Sequence, residues 1–306
     1  MKILVTGGAG FIGSHVAEIY LGAGHEVWIV DDLSSGKPIN VPPDAHFVQA
    51  DISDTAVRRL LVDERIEVVN HHAAQMDVRR SVADPLFDAR VNILGLLNIL
   101  EGARQAHCKR IIFASSGGTV YGEQNAFPAT EDHTTRPISP YGVSKLAGER
   151  YLYFYQREHG LPSLSLRYAN VYGQRQDPHG EAGVVAIFTQ RLLAGETITI
   201  NGDGQQTRDY VFVDDVAQAN LAALTTDYTG AINIGTGLET TVNTLAEHLQ
   251  RIVGSRDRAN YCAAKPGEQR RSVLSWGRAA DTLNWKPLVP LADGLEKTVA
   301  SLRTVA

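Results

Sequence analysis

A chain of 306 residues with 43% hydrophobic residues can bury a large core, and its net charge of −5, spread over both signs, lacks the basic stripe that nucleic acids or anionic membranes require. The two cysteines, Cys108 and Cys262, match neither a disulfide framework nor a metal-ligand spacing, so we predict a cytoplasmic protein without a metal site. The N-terminal residues turn to glycine too early for a signal peptide, and no stretch is long and apolar enough to span a membrane.

Short apolar runs alternate with helical patterns through the first two thirds of the chain, which predicts an α/β fold with a doubly wound, Rossmann-like parallel sheet. The predicted strands are, in chain order, 3–5, 27–30, 46–48, 68–71, 110–114 and 163–167. The predicted crossover helices are 13–22, 55–63, 84–106 and 140–159.

The chain changes character after Tyr172, where glycine- and proline-rich loops interrupt shorter elements. We therefore expect one domain over residues 1–172 and a smaller region over residues 173–306. The apolar run 231–234 can return to the main sheet, so we expect the two parts to interleave, with a return around 209–236.

The first predicted strand runs directly into a glycine-rich turn, GGAGFIG, at which a helix begins. Gly7, Gly10 and Gly13 permit a tight turn, close approach of a pyrophosphate and close packing of helix on strand, and the helix N-terminus supplies N–H donors. Such glycines can also serve turn geometry alone. However, Asp31 follows the second strand at nearly the ~20-residue spacing of an acidic residue that binds the ribose hydroxyls. No cation stands at Asp31 or Asp32 to neutralise a 2′-phosphate, so we predict NAD, with a helix cap or turn as the alternative role of Asp31.

A tyrosine and a lysine stand four residues apart at the start of a predicted helix, in SPYGVSK. Ser139 is suited to the N-cap and Pro140 to the first helical position. Tyr141 and Lys145 then share one face, where the ammonium and the helix N-terminus both favour a phenolate. A Tyr–Lys pair of this kind is usually a surface pair, but beside a dinucleotide motif it predicts a general base.

The segments TGGAGFIG, FASSGGTVYGE, SPYGVSK and LRYANVYG resemble the extended short-chain dehydrogenase/reductases over nearly the whole chain. Within that family the pattern is most similar to the UDP-glucose 4-epimerases. The resemblance implies Tyr141, Lys145 and Ser116 as the catalytic residues. An extra glycine before Thr119 keeps Thr119 open as the alternative hydroxyl, whereas Ser115 is expected to be structural.

The resemblance also implies the reaction. Tyr141 would take the proton of the sugar 4-hydroxyl, NAD would take the hydride, and the 4-keto sugar would turn over before the hydride returns to its other face. Related 4,6-dehydratases carry an Asp-Glu pair after the catalytic threonine. Here Gly117, Gly118 and Thr119 offer no carboxylate, which disfavours dehydration.

The residues that would contact NAD by resemblance come from the ends of several strands. They are Gly7, Gly10, Phe11, Ile12, Gly13, Asp31, Asp32, Ser35, Asp51, Ile52, Ala73, Ala74, Asn92, Tyr141, Lys145 and Tyr168. Asp51 and Ile52 would face the adenine, the two alanines would line the cofactor channel, and Asn92 and Tyr168 would flank the nicotinamide. The alanines have a packing alternative, since a small residue lets a helix approach a strand.

The residues that would contact the UDP-sugar by resemblance are Ser116, Tyr141, Asn170, Val184, Asn201, Arg208, Lys265, Glu268 and Arg270. Arg208 can bind a diphosphate with paired donors, and its alternative role is an ion pair with Asp209 or with another surface carboxylate. Lys265 binds a phosphate only as a point charge, so Arg270 is expected to share that work. Ser272 stands where some relatives carry a bulky tyrosine, and we hypothesise that N-acetylated UDP-hexoses are also accepted.

Three other functions stay open at this point: a UDP-glucuronate 4-epimerase or decarboxylase, a simple NAD-linked reductase, and a non-catalytic dinucleotide sensor. A sensor needs none of the three catalytic residues. A glucuronate enzyme needs a cation or extra hydroxyls near the sugar C6 carboxylate. The glycine pair Gly117-Gly118 supplies neither, and Arg175 and Arg191 are the candidate cations. UDP-glucose and UDP-galactose are the expected substrates, and the apolar faces of helices 84–106 and 140–159 suit a homodimer.

Overall fold

The structure is a computed structural model that describes residues 1–178, 183–256, 258–264 and 269–303. Its strands are β1 (Lys2–Thr6), β2 (Glu26–Asp31), β3 (His46–Gln49), β4 (Val68–His71), β5 (Arg110–Ser116), β6 (Ser163–Tyr168), β7 (Asn170–Tyr172), β8 (Thr199–Asn201), β9 (Thr207–Arg208), β10 (Tyr210–Phe212), β11 (Gly230–Ile234), β12 (Thr240–Thr241) and β13 (Asn260–Cys262). Its α-helices are α1 (Phe11–Gly22), α2 (Thr55–Asp63), α3 (Val78–Ala83), α4 (Pro85–Ala89), α5 (Leu96–Gln105), α6 (Gly117–Val120), α7 (Pro140–His159), α8 (Val184–Leu193), α9 (Val213–Ala222), α10 (Val242–Val253), α11 (Gly277–Leu283) and α12 (Leu291–Arg303).

Seven parallel strands form the central sheet, in the order β3-β2-β1-β4-β5-β6-β11. The strand order reverses between β1 and β4, which is the topological switch point where doubly wound sheets bind their ligands. The predicted fold class is confirmed, and all six predicted strands are present within one or two residues of their predicted bounds.

Apart from the edge strand β3, whose residues are exposed or half-buried, the strands of the sheet are largely buried, as expected where helices cover both faces. Along β1, Ile3 and Val5 belong to a core cluster with Val16 and Tyr20 of α1, whereas Leu4 belongs to a second cluster with helices α2 and α5. Both clusters hold the carboxyl ends of the strands rigidly.

The predicted helix 84–106 is divided in the structure. Helix α4 is followed by a π-helical segment, Arg90–Gly95, before α5 continues. The amide of Asn92 bonds to the backbone of Gln75 on both sides, with Nδ2 donating to the carbonyl at 2.7 Å and Oδ1 accepting from the N–H at 2.9 Å. The π-helical segment thus lies beside the loop after β4, which contains Gln75. Such segments often occur near functional sites.

A third core cluster joins β7, β10, α8, α10 and α12 into the smaller region. The chain returns from it to the sheet, since α9 packs on α1 and β11 pairs in parallel with β6. Across the part of the chain that the structure describes, no helix has the length and apolar character needed to cross a bilayer.

Candidate active site

The glycine-rich turn lies between β1 and α1 at the carboxyl edge of the sheet. Gly7 has a φ of +69°, and a Cβ added to it would lie 2.6 Å from the backbone nitrogen of Ala73. A Cβ on Gly13 would overlap the carbonyl oxygen of Gly7. Gly10 is the N-cap residue of α1 and has no side chain to cap the helix. The first helical hydrogen bond runs from the N–H of Ser14 to the carbonyl of Gly10, at 3.2 Å. The N–H groups of the first turn therefore stay available to an anion, and at Gly7 and Gly13 any larger residue would collide with neighbouring backbone.

The buried carboxylate of Asp31 faces the glycine-rich turn. It accepts from the N–H of Ala9 at 3.0 Å and from the N–H of Leu33 at 2.9 Å. Burial raises the pKa of Asp31, and these two bonds oppose that shift. Lys37, the nearest cation in sequence, lies 3.2 Å from Asp177, so its charge is already balanced.

The other residues expected around the adenosine are arranged more loosely. Asp32 and Asp51 each accept bonds from the serine two residues later, and Ser35 is exposed. Ile52 is buried against α5. Ala73, which donates to the hydroxyl of Thr6 at 3.2 Å, and Ala74 follow β4 and are half-buried beside the glycine-rich turn.

A polar network lies beneath the carboxyl ends of β4 and β6. His72 Nε2 lies 3.2 Å from the hydroxyl of Tyr168, and the two rings stack. Asn220 of α9 donates to that hydroxyl at 2.8 Å. Burial, and after it the charge of Lys145, lowers the pKa of His72 to about 3, so this ring is neutral at physiological pH. Tyr168 is therefore fixed at the position from which it was expected to flank a nicotinamide.

The predicted helix 140–159 is present with the same bounds as α7. The hydroxyl of Ser139 accepts the N–H of Gly142 at 3.2 Å, which caps the helix. Lys145 is buried, its Nζ lies 5.7 Å from the centre of the Tyr141 ring, and it donates to the carbonyl of Ala114 at 2.8 Å. The structure thus brings a tyrosine and a buried ammonium together at the end of β5.

The serine hydroxyls at the end of β5 point to different partners. Ser115 donates to Glu149 at 2.6 Å, as expected of a structural hydroxyl. A Cβ on Gly118 would lie 3.9 Å both from the Oγ of Ser116 and from Oδ1 of Asn170. The hydroxyl of Thr119 donates to the carbonyl of Ser116 at 3.5 Å. Ser116 and Thr119 thus lie side by side after β5, and the assignment of Ser116 as the catalytic hydroxyl stays a prediction.

Two ties that hold α7 in place were not predicted from the sequence. Glu149 forms a paired bond with Arg167 of β6, at 2.9 and 2.6 Å, with both side chains almost fully buried. Asp88 of α4 accepts from Ser144 at 2.6 Å. Asp88 and Asn92 stand four residues apart in a predicted helix, and that spacing of two polar residues was the available signal.

The residues expected around UDP come from the smaller region. Val184 begins α8, while Asn201 lies on β8 and Arg208 on β9. The carboxylate of Asp209 accepts from Thr236, Gly237 and Leu274. The carboxylate of Asp209 is thus occupied by the turn at Thr236 and Gly237, which argues against an ion pair between Arg208 and Asp209.

The remaining expected substrate contacts are only partly described. Arg270 is exposed and forms a paired bond with Asp203 at 2.8 and 2.9 Å, which lowers the pKa of Asp203 to about 2. Ser272 is buried. Lys265 and Glu268 lie outside the described residues. Among the residues that are described, no three His, Cys, Asp or Glu side chains are grouped as a metal would require.

The geometry fits a bound dinucleotide. A glycine-rich turn leaves the N–H groups at the start of α1 available, a carboxylate stands at the end of β2, and a tyrosine-lysine pair lies at the end of β5. The model of the NAD dependent epimerase/dehydratase family matches residues 3–235. A UDP-glucose 4-epimerase of Mycolicibacterium smegmatis is 47% identical over 309 residues, covering 99% of each chain.

Solved structures agree closely with this fold. A UDP-glucose 4-epimerase of Thermotoga maritima with UDP-glucose is 48% identical, with a TM-score of 0.98 over 100% of this chain and 99% of that one. A UDP-glucose 4-epimerase of Thermus thermophilus in complex with NAD is 43% identical, with a TM-score of 0.94 over 100% of both chains. The chain belongs to the NAD dependent epimerase/dehydratase family.

Proposed function

We propose that this chain is an NAD-dependent isomerase that interconverts UDP-glucose and UDP-galactose through a 4-keto intermediate. The observation that carries the proposal is the position of Tyr141 and Lys145 at the carboxyl edge of the sheet, in the same molecule as the glycine-rich turn. A sensor of dinucleotides needs only the turn. Relatives of nearly full length at 47–48% identity bear the name of this activity.

The residues of the site divide the chemistry among them. The phenolate of Tyr141 takes the proton of the sugar 4-hydroxyl and becomes the phenol, and the ammonium of Lys145, which donates to the carbonyl of Ala114, favours the phenolate before that step. The hydroxyl of Ser116 bonds to the sugar oxygen. Bound NAD would supply a reversible hydride acceptor for sugar C4. Gly7, Gly10 and Gly13 would hold its pyrophosphate, and Asp31 would accept from its ribose.

We propose that residues 1–172, with the return over 209–236, hold NAD, and that the remainder holds the UDP-sugar. The packing of α9 on α1 and the pairing of β11 with β6 support that division. Arg208 is the residue proposed for the diphosphate, with Asn170, Val184, Asn201 and Arg270 around it. The binding energy falls on UDP, which leaves the hexose room to turn.

The alternative of a glucuronate substrate has less support, because relatives of nearly full length at 47–48% identity bear the name UDP-glucose 4-epimerase. Arg175 donates to Ser14 at 3.1 Å and pairs with Glu18, and Arg191 lies 3.6 Å from Glu196, so either cation would exchange an existing contact for the carboxylate at sugar C6.

The proposal is tested by incubating the purified protein with UDP-glucose and no added nicotinamide, followed by separation of UDP-glucose from UDP-galactose. Interconversion supports an epimerase that retains its NAD, and Tyr141→Phe should then abolish it. Conversion of UDP-glucuronate alone would favour the alternative. The same assay with UDP-N-acetylglucosamine decides whether N-acetylated hexoses are accepted.

We also propose a cytoplasmic homodimer built on α7 and its neighbours. Exposed apolar side chains lie on α7 and on the adjacent helical segments: Val82, Leu86, Leu94, Tyr153 and Phe154. Light scattering tests this assembly: Leu86→Glu should shift a dimer to a monomer, whereas a monomeric wild type contradicts it.

A further inference from the structure

A buried carboxylate connects the helix that carries Tyr141 and Lys145 to the loop after β4. Asp88 has no exposed surface. Its Oδ2 accepts from the hydroxyl of Ser144 at 2.6 Å, and its Oδ1 accepts from Gln75 Nε2 at 3.1 Å and from Asn92 Nδ2 at 3.0 Å. The three donors are neutral and come from three different segments of the chain.

A buried carboxylate in this position lowers the stability of the fold unless its bonds compensate. Moving a charge from water into the interior costs several kcal/mol unless its oxygens are well bonded, and an apolar residue would fill the space at no such cost. Bonds to a charged acceptor are also shorter and about twice as strong as neutral ones. The carboxylate of Asp88 therefore fixes the distances between Ser144, Gln75 and Asn92, at a buried position that an apolar side chain could fill.

The segments joined by Asp88 are the two that must meet across the reaction centre. Ser144 lies between Tyr141 and Lys145 on α7. Gln75 directly follows the alanines expected to line the cofactor channel, and Asn92 holds both backbone groups of Gln75. A shift of the Asp88 carboxylate would change the separation between α7 and that loop.

We propose that Asp88 is a positioning residue of the reaction, which sets the distance between the Tyr141–Lys145 pair and the nicotinamide side of the cofactor channel. The proposal rests on the proposed function, because it assigns Asp88 to the hydride-transfer geometry of that site. Ser144 is the residue through which Asp88 acts on α7.

The test compares Asp88→Asn, Ser144→Ala and the double variant. A displacement of about 1 Å reduces turnover by about 100-fold, so we expect kcat to fall by about 10- to 100-fold while KM for UDP-glucose and the bound NAD stay at wild-type values. Asp88→Asn replaces one acceptor oxygen by an NH2 donor, and Ser144→Ala removes the bond from α7. Because both variants act on the same connection, the loss in the double variant should be smaller than the product of the two single losses.

The matched control is Tyr155→Phe, which removes a bond of the same kind further along α7, from the Tyr155 hydroxyl to Glu101 at 2.6 Å. It should lower the melting temperature without changing kcat. If Asp88→Asn behaves in the same way, Asp88 is merely structural and the inference is overturned.

A second measurement does not require turnover. The fluorescence emission of bound NADH reports the surroundings of the nicotinamide, and Asp88→Asn should shift it whereas Tyr155→Phe should not. A wild type without epimerase activity contradicts the proposed function alone, whereas unshifted emission in Asp88→Asn contradicts the positioning role.

Discussion

Gly13→Ala should remove the cofactor from this protein. The added Cβ would overlap the carbonyl oxygen of Gly7 and lie 2.9 Å from the carbonyl carbon. Gly7 cannot move aside, because its oxygen accepts from Gly10 at 3.1 Å and its N–H donates to Val30 at 2.8 Å. Overpacking of this kind costs about 1–3 kcal/mol. The strain is relieved only by parting α1 from the turn, which opens the anion cradle.

Since 1.4 kcal/mol corresponds to a tenfold change, NAD affinity should fall by about 5- to 150-fold. The assay is the NAD content of the protein after gel filtration, measured together with thermal unfolding. Gly22→Ala is the control, because it lies in the same helix and its Cβ would meet nothing within 4 Å. It should retain NAD and gain about 0.5–1 kcal/mol of stability. Full NAD content in Gly13→Ala would refute the reasoning.

Three further outcomes are expected. Glu149→Gln leaves the buried guanidinium of Arg167 without its charge partner and should lower the free energy of unfolding by about 3–5 kcal/mol, measured by urea titration. A loss below about 1 kcal/mol would instead indicate that the pair behaves as an exposed one. Burial lowers the pKa of both His71 and His72 from 6.5 to about 3, so unfolding takes up protons below pH 6.5. The free energy of unfolding should therefore fall as the pH decreases, by up to about 2.7 kcal/mol per pH unit for the two histidines together. A free energy of unfolding that stays constant between about pH 7 and about pH 5 contradicts this. Asp31→Asn should reduce discrimination between NADH and NADPH about tenfold or more in fluorescence titrations, and unchanged discrimination would exclude Asp31 from the ribose site.

The sheet and α7 could be predicted from the sequence because their signals are local. A strand buried on both faces is a continuous apolar run, which is how β4 was predicted with its observed bounds. Helix α7 carries its own end signals, with Ser139 as cap, Pro140 at the first position and Gly160 in the left-handed conformation after the last turn.

The rest depends on contacts between distant residues. The π-helical segment coincides with the bonds between Asn92 and Gln75, which join residues 17 apart in sequence and leave no trace in the helical periodicity. The tie between Asp88 and Ser144 spans 56 residues of sequence. Strands of two or three residues, such as β9 and β7, are too short to show a period. The pairing of Arg270 with Asp203 joins two exposed loops whose geometry the sequence does not encode locally.

The late return of β11 to the sheet has a consequence for synthesis on the ribosome. Strand β6 ends at Tyr168, but its outer neighbour begins only at Gly230, after the whole of α8 and α9. Until that segment has been translated, the N–H and C=O groups along the outer edge of β6 face the solvent, where an unpaired edge can recruit another nascent chain. Ribosome pausing before Ile234 should therefore favour aggregation, and pausing after it should not.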